Sequence, residues 1–155
     1  MLSIVLVEPE IPQNTGNVAR TCAVTSTDLI LVHPLGFRID DRSLKRAGLD
    51  YWKDVRISEY PSFSAFMQDR KESDELVFFT SHGKRDFYSF RADGKRDTYF
   101  IFGKESCGLG SDIINRYSDS CWKIPMRKDA RCLNLSNSAA VAVYEYYRQL
   151  GFPFS

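Results

Sequence analysis

The architecture of this chain is indicated most clearly by residues 3–33, which read SIVLVEPEIPQNTGNVARTCAVTSTDLILVH. The opening run, Ser3 to Val7, is almost continuously apolar, which is typical of a strand covered on both faces of a parallel sheet. Gln13 to Thr25 has the residue spacing of a helix, and Asp28 to His33 reads as a second strand. A strand, a helix and a strand in succession predict a parallel β–α–β unit.

The same alternation continues to the end of the chain. Three further strands are predicted at Glu75–Thr80, Thr98–Phe102 and Cys121–Ile124. Three further helices are predicted at Pro61–Lys71, Ser111–Tyr117, with Ser111 as the cap, and Ser136–Leu150. We therefore expect one α/β domain over residues 1–155, with a mostly parallel sheet and helices on both faces.

Composition excludes several classes of protein. Hydrophobic residues make up 43% of the 155 and charged residues 26%, which is ordinary globular composition and excludes a disordered or fibrous chain. The formal net charge is only +1, so a nucleic-acid partner would need local clusters of basic residues. No apolar run is long enough to cross a membrane, and the N-terminus has no signal-peptide pattern, so we expect a cytoplasmic protein.

The four cysteines show no metal-binding spacing. Cys22, Cys107, Cys121 and Cys132 form no C-x-x-C pair, and the chain has two histidines, so we expect no metal site. In a reducing compartment, free thiols packed as small hydrophobic side chains are the expected state.

Three segments that follow predicted strands are rich in Gly, Asn and small polar residues. They are Glu8–Arg20 (EPEIPQNTGNVAR), Phe100–Gly110 (FIFGKESCGLG) and Lys123–Tyr144 (KIPMRKDARCLNLSNSAAVAVY). Ligands of open parallel sheets bind beyond the carboxyl ends of the strands, where all three segments are expected. The glycines match neither a P-loop nor G-x-G-x-x-G, which argues against an ATP- or NAD-dependent enzyme.

These segments resemble the three motifs of the SPOUT (SpoU–TrmD) RNA ribose methyltransferases. The matching residues are NTGNVAR, FGKESCGLG and IPM followed by LNLSNSAAVAVYE. The opening MLSIVLVEPEIPQNTGN, the segment HPLGFRIDDRSLKRAGLDYW and the ending YYRQLGFP are similar to the small YibK/TrmL type, which methylates the ribose of cytidine or uridine 34 in tRNA. The resemblance spans essentially the whole chain.

The resemblance implies a C-terminal trefoil knot, a homodimer and S-adenosylmethionine (AdoMet) as the methyl donor, with S-adenosylhomocysteine as product. Nothing in the periodicity of the sequence indicates the knot. By the same resemblance, the residues of the cofactor pocket would be Phe79, Thr80, Gly103, Glu105, Gly108, Ile124, Met126, Cys132 and Leu133. Cys132 stands where the family usually has serine.

The resemblance also assigns residues to catalysis and RNA binding. Arg20 is the first catalytic candidate, and its role as a base or as an orienting group stays open, because a guanidinium is a very poor base. Asn134 and Tyr144 would orient the hydroxyl or the cofactor. The tRNA anticodon loop would contact Asn14, Asn17, Arg20, Lys45, Arg46, Arg127 and Arg131.

Two alternatives to wobble-position methylation remain open on the sequence. The same motifs serve enzymes that act on other tRNA or rRNA positions, and a non-catalytic RNA-binding protein could keep the fold.

Overall fold

A computed structural model describes residues 1–39 and 49–154 of the chain. Within these residues, seven strands form one sheet in which every pairing is parallel. The strands are β1 (Leu2–Val7), β2 (Asp28–Val32), β3 (Ile57–Tyr60), β4 (Glu75–Phe79), β5 (Arg85–Asp86), β6 (Thr98–Phe102) and β7 (Cys121–Lys123). Their order across the sheet is β3-β2-β1-β6-β4-β7-β5, so β1 and β6 lie near its centre.

Helices connect the strands. The α-helices are α1 (Pro12–Thr25), α2 (Phe63–Gln68), α3 (Ser111–Arg116) and α4 (Leu135–Gln149). Short 3-10 helices span Leu49–Asp54, Phe87–Ser89 and Ser118–Ser120.

The two faces of the sheet carry separate cores because successive side chains of a strand point in opposite directions. Ile4 and Leu6 of β1 pack with residues of α1 and α4. Val5 and Val7 of the same strand pack on the opposite face, together with Phe66 of α2 and partly buried side chains of α3. All six residues of β1 are buried, as the continuous apolar run predicts. The structure therefore confirms the predicted α/β sheet with helices on both faces.

All the predicted strands and helices are present, with boundaries that differ by at most three residues. Two strands were missed: β3 reads ISEY, and its central pair is exposed at the sheet edge, while β5 is only two residues long. Capping by Ser111 is wrong, because α3 begins at that residue, and Gly110 occupies the cap position without a side-chain hydrogen bond. Ser62 caps α2, with its hydroxyl accepting a hydrogen bond from the backbone N–H of Ala65. The trefoil knot stays a prediction.

The cysteines divide into two classes. All four are free, and Cys22 and Cys121 are buried as predicted. Burial raises the pKa of both of these thiols. The expectation of packed thiols is wrong for Cys107 and Cys132, which are exposed because they lie in loops beyond the sheet.

In the part of the chain that the structure describes, no helix has both the length and the apolar character needed to span a membrane.

Candidate functional site

A cavity of about 490 Å³ lies beyond the carboxyl ends of β4, β6 and β7. In the sheet, β1, β6, β4 and β7 are consecutive strands. The loops that follow them therefore meet at one edge. The volume is within the range of small-molecule sites. Its wall draws on the loop after β4, the loop after β6 and the segment between β7 and α4.

All nine residues assigned by resemblance to the cofactor pocket line this cavity. They are Phe79, Thr80, Gly103, Glu105, Gly108, Ile124, Met126, Cys132 and Leu133. Asn14 of α1 and Asn134, which were predicted as substrate-binding and catalytic residues, also line it. The fold thus brings parts of all three motifs to one place.

A chain of hydrogen bonds connects the three motifs at the cavity wall. The side-chain amide of Asn14 donates to Glu105 Oε1 over 3.1 Å. The amide of Asn134 in turn donates to Asn14 Oδ1 over 3.0 Å. The Asn134 Oδ1 atom accepts from the backbone N–H and the hydroxyl of Ser136, at 2.9 and 2.7 Å, and so caps α4.

The Glu105 carboxylate also satisfies the start of α1. Ile11, the N-cap residue of that helix, provides no side-chain cap. Glu105 instead accepts hydrogen bonds from the backbone N–H groups of Glu10 and Ile11, at 2.7 and 3.1 Å. A negative charge at a helix N-terminus is further stabilised by the helix dipole. The motif after β6 therefore fixes the position of the motif after β1.

The acidic residues around Glu105 are also engaged in contacts. Glu10 accepts from the backbone N–H and the hydroxyl of Ser106, both at 2.9 Å, and these hydrogen bonds hold the pKa of the Glu10 carboxyl below its usual range. Glu8 pairs with Lys104 over 2.8 Å, and this contact raises the pKa of the Lys104 ammonium group. The pairs join the same two loops that Glu105 connects.

Gly103 allows the loop after β6 to fold back on itself. A Cβ atom at this position would lie 2.1 Å from both the carbonyl carbon of Gly108 and the nitrogen of Leu109. The neighbouring atoms are backbone, so no side-chain rotation could relieve the overlap. Only glycine fits here, and the close approach shapes one wall of the cavity.

Apolar side chains also line the cavity. Met126 and Leu133 are partly exposed, at 40% and 39%, and Ile124 is half-buried. Large apolar side chains that stay exposed at the mouth of a cavity are typical of ligand sites.

Arg20 lies elsewhere. It lines a second cavity, of about 320 Å³, between α1 and α4, with Asn17, Val24 and Tyr144 among the other lining residues. Among the described residues, no residue lines both cavities. Arg20 is six residues beyond Asn14, which places it about 9 Å further along α1 and on another side of the helix. The candidate catalytic residues are therefore divided between the cavities, Asn134 in one and Arg20 with Tyr144 in the other.

The remaining predicted RNA-binding residues occupy the loop before α4 or lie outside the described residues. Arg127 and Arg131 are exposed, in the segment between the cavity residues Met126 and Cys132. Lys45 and Arg46 fall outside the described residues.

Several cavity residues were missed on the sequence. Ser138 follows Asn134 by four residues, and this helical spacing could have placed both on one face. Nothing in the sequence pattern singles out Ser81, which simply follows the predicted residue Thr80.

No group of three metal-binding side chains occurs among the described residues.

Comparison with known proteins identifies the class to which this fold and cavity belong. The SpoU rRNA Methylase family matches residues 1–144, and the chain belongs to this family. A relative from Geobacillus stearothermophilus, provisionally named tRNA (cytidine(34)-2′-O)-methyltransferase, is 48% identical over 97% of this chain and 96% of its own. A relative named tRNA (cytidine(34)-2′-O)-methyltransferase, from Saccharophagus degradans, is 42% identical over 98% of this chain and 97% of its own.

A solved structure is similar to this chain over nearly its whole length. A structure concerning the 2-OH methylation of C/U34 on tRNA superposes with a TM-score of 0.91, at 43% identity over 97% of both chains.

Gly103→Ala is expected to destabilise the protein by about 2 kcal/mol or more, because the added methyl group overlaps the backbone of Gly108 and Leu109. Urea unfolding measures the change. Gly110→Ala is the matched control, since nothing lies within 4 Å of its added Cβ and its φ of −59° suits alanine. Equal stability of the two variants would contradict the close approach.

Asn14→Asp is expected to lower the free energy of unfolding by about 2 kcal/mol, because the new carboxylate cannot donate to Glu105. The favourable interaction of the new negative charge with the dipole of α1 offsets only about 0.5 kcal/mol of this loss. Asn17→Asp, on the exposed side of the same helix, is the control and should change stability little. A similar loss in both variants would show that the hydrogen-bond chain is not responsible.

Proposed function

We propose that this chain is a tRNA methyltransferase that uses AdoMet to methylate the ribose 2′-hydroxyl of cytidine or uridine 34 in the anticodon loop. The observation that carries the proposal is the cavity in which the three motifs meet, held together by Glu105, Asn14 and Asn134. The names of the relatives support the same reaction and position. Residues 1–155 would act as one catalytic domain, in the cytoplasm.

The cavity suits an adenosyl group. Ile124, Met126 and Leu133 offer an apolar surface to a purine ring, and the loop around Gly103 lets the ligand approach backbone N–H and C=O groups. We assign the nine predicted residues of this wall to cofactor binding. Cys132 replaces the usual serine, yet its backbone groups remain available.

When bound, AdoMet supplies a methyl carbon that forms a bond to the ribose 2′-oxygen as its bond to the sulfonium sulfur breaks, leaving neutral S-adenosylhomocysteine. The hydroxyl proton passes to the protein or to solvent. Glu105 is a poor candidate to accept it, because its oxygens already take three hydrogen bonds that hold the site together. Glu105 therefore serves the cofactor site by holding the loops of its wall in place, and not by accepting the proton.

Arg20 is the residue we assign to the reacting hydroxyl, either removing its proton in a special environment or orienting the ribose phosphate and stabilising the developing alkoxide. Asn134 and Tyr144 would orient the cofactor or the hydroxyl. Asn14, Asn17, Arg127 and Arg131 of the described residues, with Lys45 and Arg46, would contact the RNA.

A homodimer would reconcile this role with the position of Arg20 outside the large cavity. The groove that contains Arg20 is flanked by Val24 and Tyr144, which are 52% and 47% exposed. Apolar side chains beside a groove between two helices are suited to packing against a second copy. We propose that each active site combines the cavity of one chain with Arg20 of the other.

The central test is transfer of labelled methyl from AdoMet to unmodified tRNA, followed by nucleoside analysis of the digest. We expect 2′-O-methylcytidine or 2′-O-methyluridine from position 34. Arg20→Ala should lower kcat at least about 100-fold, as for loss of a group that acts on the reacting hydroxyl. Lys95→Ala, a change at an exposed residue before β6, is the control.

Each outcome of this assay has a definite meaning. Label at another nucleotide would refute the wobble position while keeping the reaction. Cofactor binding without any transfer to tRNA or rRNA would refute the enzyme. Near-normal turnover by Arg20→Ala would exclude both roles that we assign to that residue.

Complementation between inactive variants tests the shared site. Arg20→Ala and Leu133→Glu are each expected to be inactive as homodimers, the second because it places a carboxylate on the apolar cavity wall. A mixed dimer, isolated with two affinity tags, retains one intact cavity opposite one intact Arg20. It should show roughly half of the wild-type activity per dimer. An inactive mixed dimer would mean that Arg20 serves its own chain.

A further inference from the structure

The two sides of the cavity mouth differ in charge. On the side of β1 and β6 lie Glu8, Glu10 and Glu105, which are held in contacts within the protein. On the side of β5 and β7, the described chain carries Lys84, Arg85 and Lys123. The Asp86 carboxylate lies 3.7 Å from Lys123 Nζ.

The cationic side is continuous with the cavity. Thr80, Ser81 and His82 line the cavity, and Lys84 follows two residues later. Arg85 pairs with Trp122 and Asp86 pairs with Lys123, so the Arg85 and Lys123 side chains project from opposite faces of the sheet at this end.

The basic loop before α4 extends the same surface. It leaves the cavity wall at Met126 and returns to it at Cys132, which places Arg127, Lys128 and Arg131 at the mouth. Asp129 lies among them, 3.7 Å from Arg127, and both side chains are 83% exposed.

Two residues give this edge features beyond charge. The guanidinium of Arg85 lies 5.3 Å from the centre of the Trp122 ring, and this contact restricts its orientation. Tyr88 follows in the next turn and is 50% exposed, so its ring is available to a partner. Cations with an accessible aromatic ring are the combination that binds single-stranded RNA.

We propose that the end of the sheet that carries Lys84, Arg85, Tyr88 and Lys123, here called the β5–β7 edge, is the edge across which the anticodon stem-loop approaches the cavity. Lys84, Arg85 and Lys123 contact backbone phosphates, and Tyr88 stacks with an unpaired base. The inference rests on the proposed function and adds the direction from which the RNA enters. The acidic residues on the opposite side disfavour approach from there.

The double variant Lys84→Glu/Arg85→Met tests this surface. Methionine keeps an apolar contact with Trp122, so the fold should be retained. Two lost phosphate contacts are expected to weaken binding of an unmodified tRNA transcript about tenfold near 150 mM salt and to reduce the log–log salt slope by about one to two. Lys95→Glu, at the opposite end of β6, is the charge-reversal control: it lowers the net charge by two units, against three in the double variant, and should stay close to wild type.

Tyr88 distinguishes stacking from charge. Tyr88→Ala is expected to weaken tRNA binding several-fold without changing the salt slope, whereas Tyr88→Phe keeps the ring and should bind normally. AdoMet binding and thermal unfolding of every variant are measured in parallel, because neither should change.

These experiments distinguish a failure of this inference from a failure of the proposed function. If wild-type protein methylates tRNA but the double variant binds it no differently from Lys95→Glu, the β5–β7 edge is only a charged sheet edge that prevents strand pairing, and the inference is overturned. If wild-type protein neither binds nor methylates tRNA, the proposed function itself fails, and this surface with it.

Discussion

The Glu105 carboxylate is the interaction on which the candidate site depends. It takes three hydrogen bonds, from the backbone N–H groups of Glu10 and Ile11 and from the Asn14 amide, and so connects the loop after β6 to the start of α1. Charged acceptors form stronger hydrogen bonds than neutral ones, and N–H groups at the start of a helix have no partner within the helix. Asn14 in turn accepts a hydrogen bond from Asn134, which caps α4. One carboxylate thereby sets the relative positions of two helices and two loops.

The parallel sheet makes this connection possible. Because β1, β6, β4 and β7 are neighbours and run in the same direction, the loops after them leave from one edge, although Val7 at the end of β1 and Lys123 at the end of β7 are 116 residues apart in the chain. Gly103 completes the arrangement, since the loop after β6 turns back so tightly that no side chain fits. The cavity is thus a consequence of strand order and of one glycine, and its apolar wall leaves room for a purine-containing ligand.

The same contacts keep two candidate catalytic groups away from each other within one chain. Glu105 is fully engaged in positioning, and Arg20 lies on another side of α1 in a second groove. The dimer that we propose would bring Arg20 of one chain to the cavity of the other, and the exposed Val24 and Tyr144 lie beside the groove that contains Arg20. The unequal charge around the cavity adds a direction of approach for an anionic substrate, although the net charge of the chain is only +1.

Local patterns in the sequence were sufficient to predict the α/β class, the buried strands and the three motif segments, because apolar runs, helical spacing and clusters of Gly and Asn after strands are visible without the fold. It did not reveal β3 or β5, since ISEY alternates too weakly and RD is too short to give a pattern. Family resemblance identified nine of the residues that line the cavity, but not the hydrogen bonds between Glu105 and Asn14 and between Asn14 and Asn134. Those bonds, the separation of Arg20 from the cavity and the exposure of Cys107 and Cys132 depend on contacts between residues far apart in the chain. Only the tertiary structure decided them, because the packing of helices on the sheet brings such residues together or keeps them apart.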